Sequence, residues 1–484
     1  MTRTTRVSLP VTALALLLSA ALAPQAVAGG FQLKEQSASG QGNAYAGISA
    51  GGADISGMFF NPASLTLFSG TQLQLGASAI APSAEFSNGV ASRSAIPAVA
   101  PFATVTGSPS TGNAAQSAVT PNLYAMWSLS PNLKAGVAVN VPYGLTTQYS
   151  ADWMGRYHAI KSHLETIDIA PTVAYRLNGQ WSFGASFIAR HAKAELSNAI
   201  DLGYSAYGAL AAYPGIANAK VLPGSADGLA VVRGDAWAYG FKAGVLFQPT
   251  SALRLGLGYQ SAITSTLKGH ATFDVPASLY TNMGALAAAN PAYAAVFSGL
   301  GAALAAKTGA SAVTAEMNLP AVISLGINYD VSKTFSVQAE FAQTQWSKFQ
   351  ELRVKFANPV AQPDSYTTEN WKNSTFMSVG ATCKPGDGWT YRLGVAVDQA
   401  PVPDANRTPR IPDADRTWIS AGMGYQVSKT WGWDVGVTHI FCKDSTVALL
   451  GGTNPASQDF GKGNLSGSYK NSINILSVQL HYNF

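Results

Sequence analysis

Leu476-Ser477-Val478-Gln479-Leu480-His481-Tyr482-Asn483-Phe484 ends the chain. Apolar residues take every even position and polar residues every odd one. A period of two places the two sets on opposite faces of a β-strand. Such a strand usually rests its apolar face on a protein core. Here the chain also opens with an export signal, and the pairing of the two features points to a strand with one face in lipid and the other in a polar lumen. That is the pattern of a transmembrane antiparallel β-barrel of the outer membrane.

The export signal occupies residues 1–28. Arg3 and Arg6 form its charged start, Val11 to Leu22 its apolar stretch, and Ala26-Val27-Ala28 an A-x-A cleavage site. The mature chain is expected to begin near Gly29. The apolar stretch is short for a spanning helix, which needs ~20 residues. Charged residues are 11% of the chain, against ~25% in soluble proteins. No linker or change of composition divides residues 71–484, which read as one barrel. Only helices and closed barrels satisfy their backbone in lipid. One segment competes as a helix, the uncharged run Val275 to Ala306, but Asn290-Pro291 interrupts it and alanine is weakly apolar. A surface loop with short helices fits it better. The formal charge of +5 falls to +3 without Arg3 and Arg6, too small and too scattered for a nucleic-acid partner.

Alternation recurs upstream. Trp237, Tyr239, Phe241, Ala243, Val245 and Phe247 share a face. Ile323, Leu325, Ile327 and Tyr329 oppose Ser324, Gly326 and Asn328, and Ile419, Ala421, Met423 and Tyr425 oppose Ser420, Gly422 and Gly424. Small or polar residues suit a lumen, and aromatics near strand ends suit the membrane interfaces. Six short turn signals, among them Ser130-Pro131-Asn132, Asn178-Gly179 and Ser428-Lys429, join strand pairs on one side. With the first and last strands they predict fourteen strands, both termini on one side, and long outer connections at 87–118, 197–235, 276–317, 357–372 and 450–468. Residues 29–70 do not alternate. Their glycines and small residues lead to Phe59-Phe60-Asn61-Pro62-Ala63, and a plug folded into the lumen is the economical place for them, since fourteen strands otherwise enclose a wide channel.

These residues resemble the FadL family of outer-membrane transporters for long-chain fatty acids and other hydrophobic compounds, its aromatic-hydrocarbon branch included. The resemblance runs over nearly the whole mature chain: Gly30-Phe31-Gln32-Leu33-Lys34-Glu35-Gln36, Gly42-Asn43-Ala44-Tyr45-Ala46-Gly47, Phe60-Asn61-Pro62-Ala63, Trp153-Met154-Gly155-Arg156-Tyr157, Trp346-Ser347-Lys348-Phe349, and Asn406-Arg407 with Ile411-Pro412-Asp413 and Asp415-Arg416. It implies a fourteen-strand barrel closed by an N-terminal hatch. It also implies a route in which a ligand caught between outer loops reaches an inner pocket, shifts the hatch and leaves sideways into the bilayer at a kinked third strand. The terminal Phe484 resembles the mark by which the barrel-assembly machinery recognises such chains. Outer-membrane lipid and lipopolysaccharide would surround a protein expected to be a monomer.

The parts of that route have candidates. Asn140, Pro142, Tyr143 and Gly144 lie within the third strand. Proline cannot donate to a ladder and glycine weakens it, so a bulge or kink is expected. Asn61, Pro62 and Ala63 match the family's hatch motif, and the same residues also read as a helix N-terminus. The apolar residues of Leu202 to Ile216 and of Met283 to Leu304 read either as a capture surface or as helices packed on one another. For a ligand carboxylate the resemblance offers Lys193 and Lys372. Strict alternation with Trp181, Phe183 and Phe187 instead points Lys193 to lipid and Arg190 inward, unless a bulge intervenes. Cys383 and Cys442 fall on strands ten and thirteen, which are not neighbours, and are expected to be unpaired.

Nothing in the sequence suggests catalysis, a cofactor or a metal. The six histidines show no metal-ligand spacing, Gly-x-Ser-x-Gly is absent, and Asp413 and Asp415 with Arg407, Arg410 and Arg416 read as an ion network. The expected function is uptake of long-chain fatty acid by lateral diffusion, with aromatic hydrocarbon or alkane as the alternative substrate. A general porin fits less well, because of the hatch-like N-terminus.

Overall fold

A computed structural model describes residues 29–94, 103–210, 221–454 and 457–484. The expected signal segment, residues 1–28, lies outside them. Fourteen antiparallel strands close into one barrel. They are β1 (Thr71–Ser92), β2 (Ala118–Ser128), β3 (Leu133–Asn140, resuming at Gly144–Gln148), β4 (Lys161–Arg176), β5 (Trp181–Asp201), β6 (Asp227–Phe247) and β7 (Leu253–Gln260, Ile263–Asp274). After them come β8 (Ser311–Leu319, Val322–Asp330), β9 (Phe335–Thr344, Glu351–Phe356), β10 (Ser365–Thr368, Ser374–Cys383), β11 (Trp389–Asp398), β12 (Arg416–Gln426), β13 (Trp431–Cys442, Ser445–Leu449) and β14 (Asn464–Asn483). The seam is β1 on β14, in register from Gln72 opposite Asn483 to Ser92 opposite Asn464, with one irregularity between Ser87 and Val90.

The alternation works as the sequence indicates. On β14, Leu476 and Leu480 are 49% and 57% exposed, whereas Ser477 and Gln479 are buried at 1% and 2%. The exposed apolar face meets lipid and the polar face meets the lumen. Near the short turns, aromatic side chains gather on the outer surface. Trp181 stacks on Phe247 at 4.3 Å, and Trp389 lies 4.7 Å from Tyr425. Tryptophan and tyrosine hold this interfacial position because one end of each ring is apolar and the other polar.

Several strands run further than the sequence predicts. β5 and β6 pair without a break from Trp181 opposite Phe247 to Asp201 opposite Asp227, so both ends of the expected connection 197–235 are ladder. β8 likewise begins at Ser311, inside the expected connection 276–317. Above the lipid both faces of a strand meet polar surroundings, as at exposed Arg233 and Asp235. The apolar period fades there while the backbone pairing continues.

The run Val275 to Ala306 folds into α-helices over Ala277–Ala289 and Ala294–Lys307, broken by a short turn at Pro291–Tyr293. No helix among the described residues is long and apolar enough to cross a membrane. The helix Leu202–Leu210 joins the first two, and Leu202, Leu210, Leu279, Met283, Phe297 and Leu304 bury one another. The part of the expected loop helix from Ala211 to Ile216 lies outside the described residues. Mutual packing accounts for those buried residues, while Tyr280 and Val296 of the same helices stay exposed at 38% and 39%. Cys383 and Cys442 are both free.

Candidate functional site: the hatch, the interrupted strand and an apolar cavity

Residues 29–70 fill the lumen. Their backbone lies directly on glycines of the inner wall. A Cβ added at Gly256 would stand 1.8 Å from the Ser49 carbonyl oxygen, and one at Gly394 2.1 Å from that of Asn43. Real side chains do not approach so closely. The small residues of the lumenal face are thus the seat of the plug. Ser49 also donates its amide to the carboxylate of Glu340 at 3.1 Å.

Asn61 caps a helix, as its place before Pro62 predicts, and also bonds beyond it. Its Oδ1 accepts from the Ala63 amide at 3.0 Å and caps the short helix Pro62–Leu67, with proline at the first helical position where its missing N–H costs nothing. Its Nδ2 donates to the Ser49 carbonyl at 2.7 Å and to the Val245 carbonyl of β6 at 3.0 Å. One amide side chain therefore ties the hatch to itself and to the wall.

The third strand is broken where the sequence places its kink. β3 stops at Asn140 and resumes at Gly144. Pro142 has no N–H to donate, and the hatch uses the backbone groups the gap leaves open. Leu33 donates its amide to the Pro142 carbonyl at 2.8 Å, and Gly144 donates to the Phe31 carbonyl at 3.0 Å. Gln36 donates its side-chain amide to the Val141 carbonyl at 2.8 Å. Asn140 donates to the Gln36 side chain at 3.0 Å and to the Tyr124 hydroxyl at 2.7 Å. Residues 31–33 of the hatch thus bridge the gap, with Gln32 opposite Tyr143, where β3 does not continue its own ladder.

Phe31 anchors that segment. Its ring is 2% exposed and sits among Trp346, Trp371, Phe349 and Tyr143, with ring centres at 4.7, 5.5, 5.7 and 6.1 Å. Gly30, before it, takes a φ of +64° against the Trp371 ring, a turn that glycine adopts without strain. The Gly30 amide donates to Asp413 at 2.8 Å.

Phe31 also forms one wall of a cavity holding ≈ 590 Å³ of atom-free space, its open mouth included. Leu145, Leu164, Leu267, Met317 and Ile411 complete an almost wholly apolar lining. Two charged side chains reach it from outer connections, Glu369 and Arg410. Glu369, in the linker between the two parts of β10, is pushed up to about 7 by burial. Arg410 also faces a second, polar cavity with ≈ 750 Å³ of atom-free space, its open mouth included, lined in part by His158, Asp459 and Lys462.

The basic residues singled out in the sequence lie elsewhere. Lys193 is exposed on the outer face of β5. No bulge turns it inward, because β5 keeps one register with β6 along its whole length. Arg190 does point inward, but it is buried and bidentate on Asp168, at 2.6 and 2.7 Å. Lys372 is exposed in the linker of β10. Of the expected ion network one pair forms, Arg416 with Asp413. Arg416 also pairs with Asp398, and Arg407 with Asp404, while Asp415 pairs with Lys443. Arg410 departs from it, and its role at the cavity had no local signal in the sequence.

Among the described residues no cluster of three or more His, Cys, Asp or Glu side chains is placed to hold a metal ion. A barrel with a lipid-facing outer surface, a plugged lumen and an apolar cavity behind the plug defines an outer-membrane transport protein for hydrophobic solutes. The comparisons agree. Residues 19–484 match the model of the family described as outer membrane protein transport protein (OMPP1/FadL/TodX). The chain is 31% identical over 422 residues to a long-chain fatty acid transport protein of Salmonella typhi, covering 87% of this chain and 89% of the relative. It is 29% identical over 432 residues to the long-chain fatty acid transport protein of Escherichia coli K12, covering 87% and 90%. The crystal structure of a Pseudomonas aeruginosa FadL homologue superposes with a TM-score of 0.77 at 26% identity, covering 94% of this chain and all of the other. The Pseudomonas putida toluene transporter TodX, 16% identical with a TM-score of 0.63, shares the fold.

The chain belongs to the FadL family of outer-membrane transport proteins. It is a transporter of long-chain fatty acids or hydrophobic compounds, not an enzyme, in the outer membrane of a Gram-negative cell.

Proposed function

We propose that this transporter takes up long-chain fatty acids and releases them sideways into the bilayer at the gap in β3. The observation that carries this reading is the double use of Phe31. The residue walls the apolar cavity, and its own carbonyl holds Gly144 at the gap. A chain entering the cavity displaces the Phe31 ring, and the hatch segment lifts from Pro142 and Gly144. The route keeps an alkyl chain out of water, where each exposed CH2 costs ~0.8 kcal/mol. Aromatic hydrocarbon or alkane is the alternative substrate for the same path. The mature chain begins near Gly29, acts as a monomer among outer-membrane lipid and lipopolysaccharide, and is inserted by the barrel-assembly machinery through Phe484.

The test is uptake of labelled oleate and of toluene by cells lacking their own transporters, with Pro142 and Gly144 replaced together by valine. A continuous β3 is expected to abolish uptake of the natural substrate while surface expression persists. Uptake that survives would mean an exit down the lumen and would end the lateral route.

A further inference from the structure

The charged end of the apolar cavity has a chemistry of its own. Arg410 comes from the connection 399–415 and reaches the outer ends of β4 and β5. Its guanidinium donates to the Lys161 carbonyl at 3.2 Å, the Ser162 hydroxyl at 3.1 Å, the Ser197 carbonyl at 3.3 Å and the Asn198 side-chain oxygen at 3.3 Å. All four acceptors are neutral. Burial lowers its pKa to about 10, so it stays cationic at neutral pH. It separates the apolar cavity from the polar one, the position an amphipathic ligand would need for its head group, with the tail toward Phe31.

Glu369 lines the same apolar cavity and is 3% exposed. It accepts from the Trp371 indole N–H at 2.9 Å, and Trp371 packs on Phe31. A carboxylate that ionises only near pH 7 thus shares the cavity lining with the cation and with the hatch anchor. Once ionised, it competes with an anionic ligand for Arg410 and repels it.

We propose that Arg410 holds the anionic head group of the ligand and that Glu369 admits that head group only in its neutral form. This deepens the fatty-acid reading and rests on the cavity being the ligand's inner pocket. His163 with its partner Glu165 at the apolar cavity, Lys161 with its partner Glu195 and Tyr149 beside Arg410, and His158, Asp459 and Lys462 at the polar cavity are other titratable or charged groups near the pair.

The test measures equilibrium binding to the full mature protein in lipid nanodiscs. The probes are dodecanesulfonate, ionised at every pH used, and oleyl alcohol, never ionised. Wild type, Arg410→Gln and Glu369→Gln are compared at pH 6 and pH 8. If only neutral Glu369 admits the anion, a pKa of about 7 makes sulfonate binding about tenfold weaker at pH 8 than at pH 6. Alcohol binding is expected to stay constant. Arg410→Gln is expected to weaken sulfonate binding by at least about tenfold, the lower range for a charge-assisted hydrogen bond, and to spare the alcohol. Glu369→Gln is expected to flatten the pH profile. Unchanged sulfonate binding in Arg410→Gln, or an equal loss of alcohol binding, would overturn the head-group role and leave Arg410 as a brace for the loop. A profile that persists in Glu369→Gln would overturn the role of Glu369. Wild type that binds the alcohol but not the sulfonate would refute the head-group site alone. Wild type that binds neither would refute the fatty-acid reading itself.

Discussion

Replacing Phe31 by alanine is expected to unlatch the hatch without unfolding the barrel. Phe31 is buried among four aromatic rings, and truncating such a side chain costs ~3–5 kcal/mol. The loss falls on the segment that Phe31 anchors. Residues 29–33 hold the wall through Gly30 on Asp413, Leu33 on Pro142 and Gly144 on Phe31, and the ladders of β1–β14 do not depend on them. Local opening therefore becomes easier while global stability changes little. At 1.4 kcal/mol per decade, the opening equilibrium shifts by roughly a hundredfold to a few thousandfold. Hydrogen exchange read by mass spectrometry reports this directly. Peptides containing Leu33 and Gly144 are expected to exchange faster by about that factor, with seam peptides of β1 and β14 unchanged. Wild-type rates at Leu33 and Gly144 would refute the anchoring role of Phe31. A parallel rise at the seam would show that the residue stabilises the barrel as a whole.

Other substitutions probe the seat and the wall. Gly256→Leu places a side chain where the Ser49 carbonyl lies, so the hatch is expected to seat badly and single-channel conductance to rise from a closed baseline. Asn61→Ala removes a helix cap and two bonds to carbonyls, a loss of ~1–3 kcal/mol expected as faster exchange confined to residues 48–67. Asp168→Ala leaves the buried Arg190 uncompensated and is expected to cost ~3–5 kcal/mol in urea unfolding, with the double variant Asp168→Ala/Arg190→Met recovering much of it. Two thiols are expected to react in urea without reductant. Fewer would indicate a bridge between Cys383 and Cys442.

The architecture was legible because a barrel wall is a period-two boundary between two solvents. Each strand must put apolar groups in lipid and small or polar groups inward, and Leu476 to Tyr482 display that constraint with no neighbour needed to interpret it. The break at Asn140 to Gly144 was legible for an equally local reason, since proline lacks a donor whatever surrounds it. The outward direction of Lys193 also followed from alternation alone, against the inward role the family resemblance offered. Tertiary structure decided what no single stretch contains. The lumenal glycines are small because the hatch backbone lies on them. Arg410 belongs to the cavity because barrel closure brings its loop to Lys161, Ser162, Ser197 and Asn198, more than two hundred residues earlier in the chain. Beside Arg407 and Arg416 in sequence it is one more basic residue near two aspartates. Only the folded distances show that those aspartates are already taken and that Arg410 faces an apolar space with Glu369.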